Sequence, residues 1–196
     1  MSVTQPPEKI QVASEAAGVR PPRVFVALKM APETAQALTQ YGNDLKRFPV
    51  RLVAPSDIHL TLVPPWNEPS IPQAIERLRR VAEQCVAFTL AFEHVGYGPE
   101  ARFPRLLWAS CTVNDALVAL HTALLAEFGQ TDGRPFRPHV TIARIRNNGR
   151  SIARKCPIDQ ALALTQRVES VELMQSPPPG ANGYTVLASL PLRAAG

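Results

Sequence analysis

An internal repeat limits the folds open to this chain more than any other feature of its sequence. When the sequence is shifted by 80 residues, two short polar motifs fall on each other within matching hydrophobic patterns. The matched positions are Leu38 and Val118, Leu45 and Leu125, Phe48 and Phe128, Pro55 and Pro135, His59 and His139, and Thr61 and Thr141. A period this long exceeds the roughly 20–50 residues of a solenoid unit. We therefore expect two pseudo-symmetric lobes that face each other.

Each repeat has the pattern of a strand, an amphipathic helix and a second strand. β-branched and aromatic runs predict strands, and apolar residues at a spacing of three and four predict helices. The predicted strands are 23–28, 57–63, 88–95, 105–112, 138–145, 167–174 and 184–190, and the predicted helices are 32–48, 70–86 and 114–128. Residues 1–22 lack such periodicity and are predicted to be a flexible tail. Residues 23–192 are predicted to form one bilobal domain.

Charge and cysteine content narrow the class of protein. The formal net charge is +5 and the isoelectric point is about 9.5, which makes an anionic partner plausible. The three cysteines are widely spaced and match no zinc motif, so reduced thiols in a cytoplasmic protein are expected. No apolar run approaches the ~18 residues of a membrane span, and no signal segment is evident. A membrane protein and a secreted disulfide scaffold are thus excluded.

The two matched motifs carry the chemistry. In His59-Leu60-Thr61 and in its repeat, His139-Val140-Thr141, residues i and i+2 of a strand point to one face. Symmetric packing of the lobes would bring two histidines and two threonines into one cleft. Two imidazoles can act as acid and base on either side of a phosphorus atom, while hydroxyls donate to its oxygens. A single such triplet would be read as an ordinary strand, but two at matched positions indicate function.

The chain resembles the 2H phosphoesterase superfamily over residues 23–192, and within it the RNA 2′,3′-cyclic phosphodiesterases, also called 2′-5′ RNA ligases. The resemblance is carried by His59-Leu-Thr-Leu62, by Arg137-Pro-His139-Val-Thr-Ile-Ala-Arg144 and by the strands at 23–28 and 104–108. It implies a bilobal α+β fold whose antiparallel sheets line a cleft, with helices outside. It further implies hydrolysis of RNA or nucleoside 2′,3′-cyclic phosphates to the 2′-phosphate without metal or cofactor, and 2′-5′ RNA ligation.

The same resemblance implies the roles of individual residues. His59 would be the proton donor to the leaving 3′ oxygen, and His139 the proton acceptor that activates water. Thr61 and Thr141 would hold the phosphate. The near symmetry of the repeat cannot itself assign the acid and the base. After the first motif many relatives continue with Phe-Leu-Gly, whereas this chain has Val63-Pro64-Pro65-Trp66, which leaves the nucleotide or RNA substrate open.

Further candidates for substrate binding lie beside the motifs. Strict alternation puts Arg144 on the face opposite His139, so it reaches the phosphate only if the strand ends or bulges there. Trp66 is a candidate for stacking a base, and Phe136 for stacking or local packing. Arg137 belongs to an acid-free basic stretch that is either an RNA-backbone patch or a solvated loop. The stretch comprises Arg134, Arg137, Arg144, Arg146, Arg150, Arg154 and Lys155.

Two other functions stay open at this level. One is a phosphodiesterase for another small cyclic nucleotide, such as ADP-ribose cyclic phosphate, or for a 2′-5′ oligonucleotide. The other is a non-catalytic nucleotide-binding module on the same fold, against which the intact histidines and threonines argue. The expected partners are RNA ends or nucleoside 2′,3′-cyclic phosphates, and the expected oligomeric state is a monomer.

Overall fold

The computed structural model describes residues 20–100, 102–131, 133 and 135–194, and these form nine β-strands and four α-helices. The strands are β1 (Arg23–Lys29), β2 (Val50–Leu52), β3 (His59–Asn67), β4 (Phe88–Gly98), β5 (Leu106–Cys111), β6 (His139–Ile145), β7 (Asp159–Val168), β8 (Ser170–Gln175) and β9 (Thr185–Pro191). The helices are α1 (Pro32–Gln40), α2 (Ile71–Ala82), α3 (Asp115–Glu127) and α4 (Gly149–Lys155). Apart from its last three residues, the predicted tail 1–22 lies outside the described residues.

The strands join edge to edge in the order β7-β4-β5-β6-β3-β1-β8-β9, and β2 pairs with the end of β6. All the named strand pairs are antiparallel. We call β3, β1, β8 and β9 the first lobe, and β6, β5, β4, β7 and β2 the second lobe. The lobes meet where Leu60 of β3 pairs with Val140 of β6. This arrangement of helices and antiparallel strands confirms the predicted bilobal α+β fold.

Alternation along the strands separates the face that packs into the main core from the face that carries the two motifs. On β1 the side chains of Val24, Val26 and Leu28 are fully or almost fully buried in the main core, together with those of Leu60 and Val140. Helices cover this apolar face, and the side chains that alternate with the core residues occupy the opposite face. The polar residues of both motifs therefore share the face that the helices leave free.

The helices cross over between the lobes. Helix α1 comes from the first repeat but contacts β7 of the second lobe, and α3 from the second repeat contacts β3 of the first. Immediately after α1, a Cβ on Gly42 would lie 3.2 Å from Cγ2 of Ile142, so the chain runs closely against β6. Each sheet is thus partly covered by a helix from the other repeat.

A β-bulge interrupts β6 after its motif. Thr141 is opposite Trp108, but Ala143 is opposite Leu107, so Ile142 is an extra residue on β6. An extra residue reverses the alternation of faces beyond it. Ile142 and Ala143 are consequently both buried.

The same bulge occurs in β3. Thr61 is opposite Ala27, but Val63 is opposite Val26, so Leu62 is the extra residue. The two bulged residues, Leu62 and Ile142, are 80 residues apart, so the β-bulge is itself part of the internal repeat.

Four elements differ from the sequence-based predictions. The predicted helix 32–48 is wrong in its second half, where α1 ends and a 3₁₀ turn (Asn43–Arg47) and β2 follow. β3 continues through Pro64 and Pro65, which were expected to end it, because the β1–β3 pairing is irregular there. The predicted strand 167–174 is divided between β7 and β8, and much of β7 was not predicted. Helix α4 lies where a basic loop was expected.

Candidate active site

The two motif histidines are held by equivalent hydrogen bonds. His59 Nδ1 lies 2.6 Å from the backbone oxygen of Asp57, and His139 Nδ1 lies 2.8 Å from that of Arg137. Because a carbonyl oxygen only accepts, each Nδ1 must carry the proton and donate it. Each bond reaches back two residues along the chain, and it leaves Nε2 of each ring as the nitrogen available to a ligand.

The junction of the lobes sets which way the motif side chains point. Leu60 and Val140 are paired and fully buried, so the residues on either side of each point to the opposite, uncovered face. There, His59 and His139 are half-buried and Thr61 is exposed. The structure therefore brings both His-x-Thr motifs to one face, next to the line where the lobes join.

Aromatic rings flank both imidazoles. The ring of His59 lies 5.1 Å from that of Phe25 and 4.9 Å from that of Tyr184, measured between centroids. The ring of His139 lies 4.4 Å from that of Trp108. These contacts limit the rotamers of the histidines and remove part of their hydration.

Trp108 has room beside His139 because two residues of the neighbouring strand β4 are glycines. Gly96 is opposite Trp108 in the strand register, and a Cβ on Gly98, two residues further along β4, would overlap the indole ring. The equivalent position in the first lobe is Ala27, which is opposite Thr61 as Trp108 is opposite Thr141. The two lobes thus line the same face with side chains of very different size.

Burial and nearby charge shift the acidity of both histidines in one direction. Loss of hydration is the largest cause that lowers the pKa of His59 and of His139 below the usual value of 6.5. The hydrogen bonds to the carbonyls of Asp57 and Arg137 act the other way. The cation of Arg144 lowers both pKa values further.

The bulge explains how Arg144 comes to this face. Strict alternation would place it opposite His139, but Ile142 adds a residue and reverses the pattern, so Arg144 is exposed beside the motif. Of the two orientations that the sequence allowed, the structure has the one that depends on a bulge. In the first lobe the position equivalent to Arg144 is Pro64, so the cation is present on one side only.

The charges just before the motifs also differ. Asp57 stands two residues before His59, and its carboxylate raises the pKa of that histidine. The same carboxylate accepts the backbone N–H of Tyr184 at 3.2 Å, which ties the segment before β9 to the site. The equivalent residue before His139 is Arg137, whose side chain is exposed.

Two of the predicted binding residues are held by packing. The ring of Phe136 stacks on His121 at 3.8 Å, and His121 Nδ1 donates to the backbone oxygen of Leu62. The indole of Trp66 packs on Phe128 at 4.9 Å, and its N–H donates to a carboxylate oxygen of Glu68 at 2.9 Å. These contacts do not bring Trp66 to the histidines, so we leave it out of the proposed site.

Sequence reasoning missed the aromatic residues at the site. The apolar pattern of the predicted strand 105–112 favours a core position for Trp108, and Phe25 and Tyr184 were not among the predicted site residues. Phe25 lies between Val24 and Val26 on β1, so its side chain points to the opposite face of the strand. Strand alternation would therefore have identified Phe25 once this face was known to carry the site. Tyr184 follows a Pro- and Gly-rich loop, and its position could not be read from local sequence.

Three negative findings apply to the described residues. Within residues 20–100, 102–131, 133 and 135–194, no group of three or more His, Cys, Asp or Glu side chains is placed to hold a metal ion. No helix in these ranges is long and apolar enough to cross a membrane. Cys85, Cys111 and Cys156 are all free thiols.

Two antiparallel lobes that present paired His-x-Thr motifs on a shared face define the 2H phosphoesterase class. A model of the 2′-5′ RNA ligase superfamily matches residues 36–176. Because this match covers well over half of the chain, the protein belongs to that superfamily.

Individual relatives agree with this assignment. The chain is 32% identical to an RNA 2′,3′-cyclic phosphodiesterase of Geobacillus stearothermophilus over 131 residues, which is 61% of this chain but only 41% of that protein. It is 26% identical to a protein of the same name from Archaeoglobus fulgidus, over 67% of this chain and 77% of the relative. A crystal structure of a Thermus thermophilus protein superposes with a TM-score of 0.75 at 25% identity, covering 89% of this chain and all of the other.

Proposed function

We propose that this protein hydrolyses RNA or nucleoside 2′,3′-cyclic phosphates to the 2′-phosphate, using two histidines and neither a metal ion nor another cofactor. The observation that carries the proposal is the matched pair of hydrogen bonds at Nδ1 of His59 and His139, which leaves both Nε2 atoms for proton transfer. The names of the two curated relatives support the choice of substrate.

In the proposed reaction, water attacks phosphorus in line with the bond to the 3′ oxygen. Nε2 of His139 accepts a proton from the water as the new P–O bond forms. The P–O3′ bond breaks, and Nε2–H of His59 donates its proton to the departing 3′ oxygen. The products are the 2′-phosphate and a free 3′-hydroxyl, and the two histidines have exchanged protonation states.

One charge beside the motifs distinguishes the proposed acid from the proposed base. The carboxylate of Asp57 favours the protonated form of His59, which the proton donor requires, and it partly offsets the larger opposing effect of the Arg144 cation on that ring. Around His139 the nearby charge is the cation of Arg144, which favours the neutral form that the acceptor requires. The two lobes therefore differ in charge at Asp57, whose equivalent is Arg137, and at Arg144, whose equivalent is Pro64.

Three side chains are proposed to bind the phosphate. Thr61 and Thr141 share the face of the histidines, and their hydroxyls can donate to non-bridging oxygens as negative charge develops there. Arg144 is exposed on the same face beyond the bulge and supplies a cation for the same oxygens. Phe136 and Arg137, which precede His139 by three and two residues, stay predicted substrate contacts.

The same geometry extends to ligation. A 5′-hydroxyl of a second RNA in place of water would lose its proton to His139 and form a 2′-5′ linkage without ATP. We include this reaction in the proposal. The cytoplasmic location and the monomeric state remain predictions.

The proposal is tested with cytidine 2′,3′-cyclic monophosphate in the presence of EDTA. The wild-type protein is expected to form the 2′-monophosphate, resolved from the 3′ isomer by chromatography. His59→Ala and His139→Ala are each expected to lose at least roughly 100-fold in rate, as removal of a general acid or base does.

His94→Gln is the matched control. His94 is also on an uncovered strand face, but its Nε2 pairs with Asp159 at the exposed side of β4. This variant is expected to keep the wild-type rate. Formation of the 3′-monophosphate, or equal losses in all three folded variants, would contradict the mechanism.

A further inference from the structure

Two arginines face each other across neighbouring strands beside the site. Arg51 of β2 is opposite Arg144 of β6, and both are exposed. Like charges at directly opposed positions destabilise a sheet. Among the described residues neither arginine forms an ion pair with a carboxylate. An arrangement that weakens the fold and lacks an internal counter-ion indicates an anionic ligand.

More cations follow where β6 ends. Arg146 comes directly after β6, Arg150 lies in the first turn of α4, and Arg105 precedes β5. These three side chains are exposed and line one shallow depression of about 350 Å³, whose lining includes one carboxylate, that of Glu100. Within the described part of the chain, these three also lack an ion pair. Exposed cations therefore follow one another along the chain from Arg144 through Arg146 to Arg150.

The same depression has an exposed aromatic ring. Phe103 is 61% exposed and lines the depression with the arginines, and the guanidinium of Arg102 lies 5.8 Å from its ring centroid. Alternating cations and exposed aromatic rings are typical of surfaces that bind single-stranded nucleic acid, since phosphates meet the cations and bases stack on the rings.

Close backbone packing fixes the position of these side chains. A Cβ on Gly149 would overlap the backbone oxygen of Pro104, so the start of α4 lies directly on the segment before β5. Ile152 anchors the helix in the core. The amide of Ile145 also donates to the oxygen of Arg105 at 2.8 Å. The depression is thus formed by packed elements.

We propose that this surface, comprising Arg51, Phe103, Arg105, Arg146 and Arg150, binds the backbone of an RNA strand on the 5′ side of its cyclic phosphate. The inference rests on the proposed function, and it makes a single-stranded RNA end a better substrate than a mononucleotide. Arg146 is seven residues beyond His139, or roughly 20 Å at the rise of a strand. A ligand that spans the surface must therefore contain several nucleotides.

The test compares kcat/KM for a five-nucleotide RNA with a 2′,3′-cyclic phosphate end and for cytidine 2′,3′-cyclic monophosphate. The wild type is expected to prefer the RNA, and the preference should fall at least roughly tenfold in the double variant Arg146→Gln, Arg150→Gln. Loss of two phosphate contacts should also reduce, by about 1.4, the slope of log kcat/KM for the RNA against the logarithm of salt concentration.

The matched control carries Arg79→Gln and Arg80→Gln, which remove the same charge from exposed positions on α2. It is expected to keep the wild-type preference. A wild type without preference, or equal losses in both double variants, would overturn the proposal.

Binding separates failure of this inference from failure of the proposed function. If the wild type turns over neither substrate, the proposed activity is wrong. The same RNA with a 2′-phosphate end is then titrated by fluorescence anisotropy. The proposal is supported if the Arg146→Gln, Arg150→Gln variant binds this RNA more weakly and with less salt dependence than wild type, while the Arg79→Gln, Arg80→Gln control binds it as wild type does. Equal binding by both double variants refutes the proposal.

Discussion

Leu60 and Val140 pair across the junction of β3 and β6, and they occupy equivalent positions of the 80-residue repeat. The approximate twofold axis of the molecule therefore passes between them. Both side chains are fully buried, and their pairing joins β3 to β6 within the nine-stranded sheet and orients both motifs.

Leu60→Ala is expected to reduce the free energy of unfolding by about 2–5 kcal/mol, because it leaves a cavity in a closely packed region. Urea denaturation measures the change. Val118→Ala, at a position 39% exposed on α3, is the control and should stay within about 0.5 kcal/mol of wild type. A similar small effect for Leu60→Ala would mean that the junction tolerates repacking.

Two substitutions at Asp57 separate its charge from its hydrogen bond. Asp57→Asn keeps an oxygen for the amide of Tyr184 but removes the charge that raises the pKa of His59. His59 then loses its proton at lower pH, so the alkaline limb of the kcat/KM profile should move to lower pH. Asp57→Ala should show the same shift and a higher KM, because Tyr184 is released. An unchanged profile for both variants would exclude the electrostatic role.

Arg144→Gln should affect both rate and pH dependence. Loss of a donor to the developing phosphate charge is expected to lower kcat/KM by about 10²–10³. Because Arg144 lowers the pKa of His59 and of His139, its removal should move both limbs of the profile to higher pH. A variant with reduced rate and an unshifted profile would show that Arg144 acts away from the histidines.

The glycine beside Trp108 provides a test of how His139 is positioned. Gly98→Ala should displace the indole and lower kcat, because the new Cβ would overlap the ring. Trp108→Leu removes the overlapping atoms, so Gly98→Ala should have a smaller effect in that background. Single-turnover rates of the four proteins form a double-mutant cycle. Additive effects would place the cause outside the Gly98–Trp108 contact.

The motifs were predictable because they depend on local alternation and on a repeat that is visible in the sequence. His59, Thr61 and their equivalents at 139 and 141 share a face for the reason given by strand geometry. Arg144 was not predictable to the same degree. Its orientation depends on a single extra residue in β6, and Ile142 looks like any other strand residue.

Other differences arise where tertiary contacts override local pattern. Ala161 to Leu164 favour helix as much as strand, yet β7 pairs with β4 over most of its length. Pro64 and Pro65 indicate a strand end, but the irregular pairing beside β1 accommodates residues without an amide hydrogen. Trp108 leaves the core because Gly98 gives its ring space, which only the strand register reveals.

The exchange of helices between the lobes has a consequence for folding. Because α1 contacts β7, and α3 contacts β3 as well as β4, each lobe depends on a helix from the other repeat for part of its cover. A chain containing only one repeat would have to dimerise to bury its apolar surface and would meet its second histidine only in the partner. When both repeats are in one chain, the covalent connection between them keeps their local concentration high, so they should unfold together in a single cooperative transition.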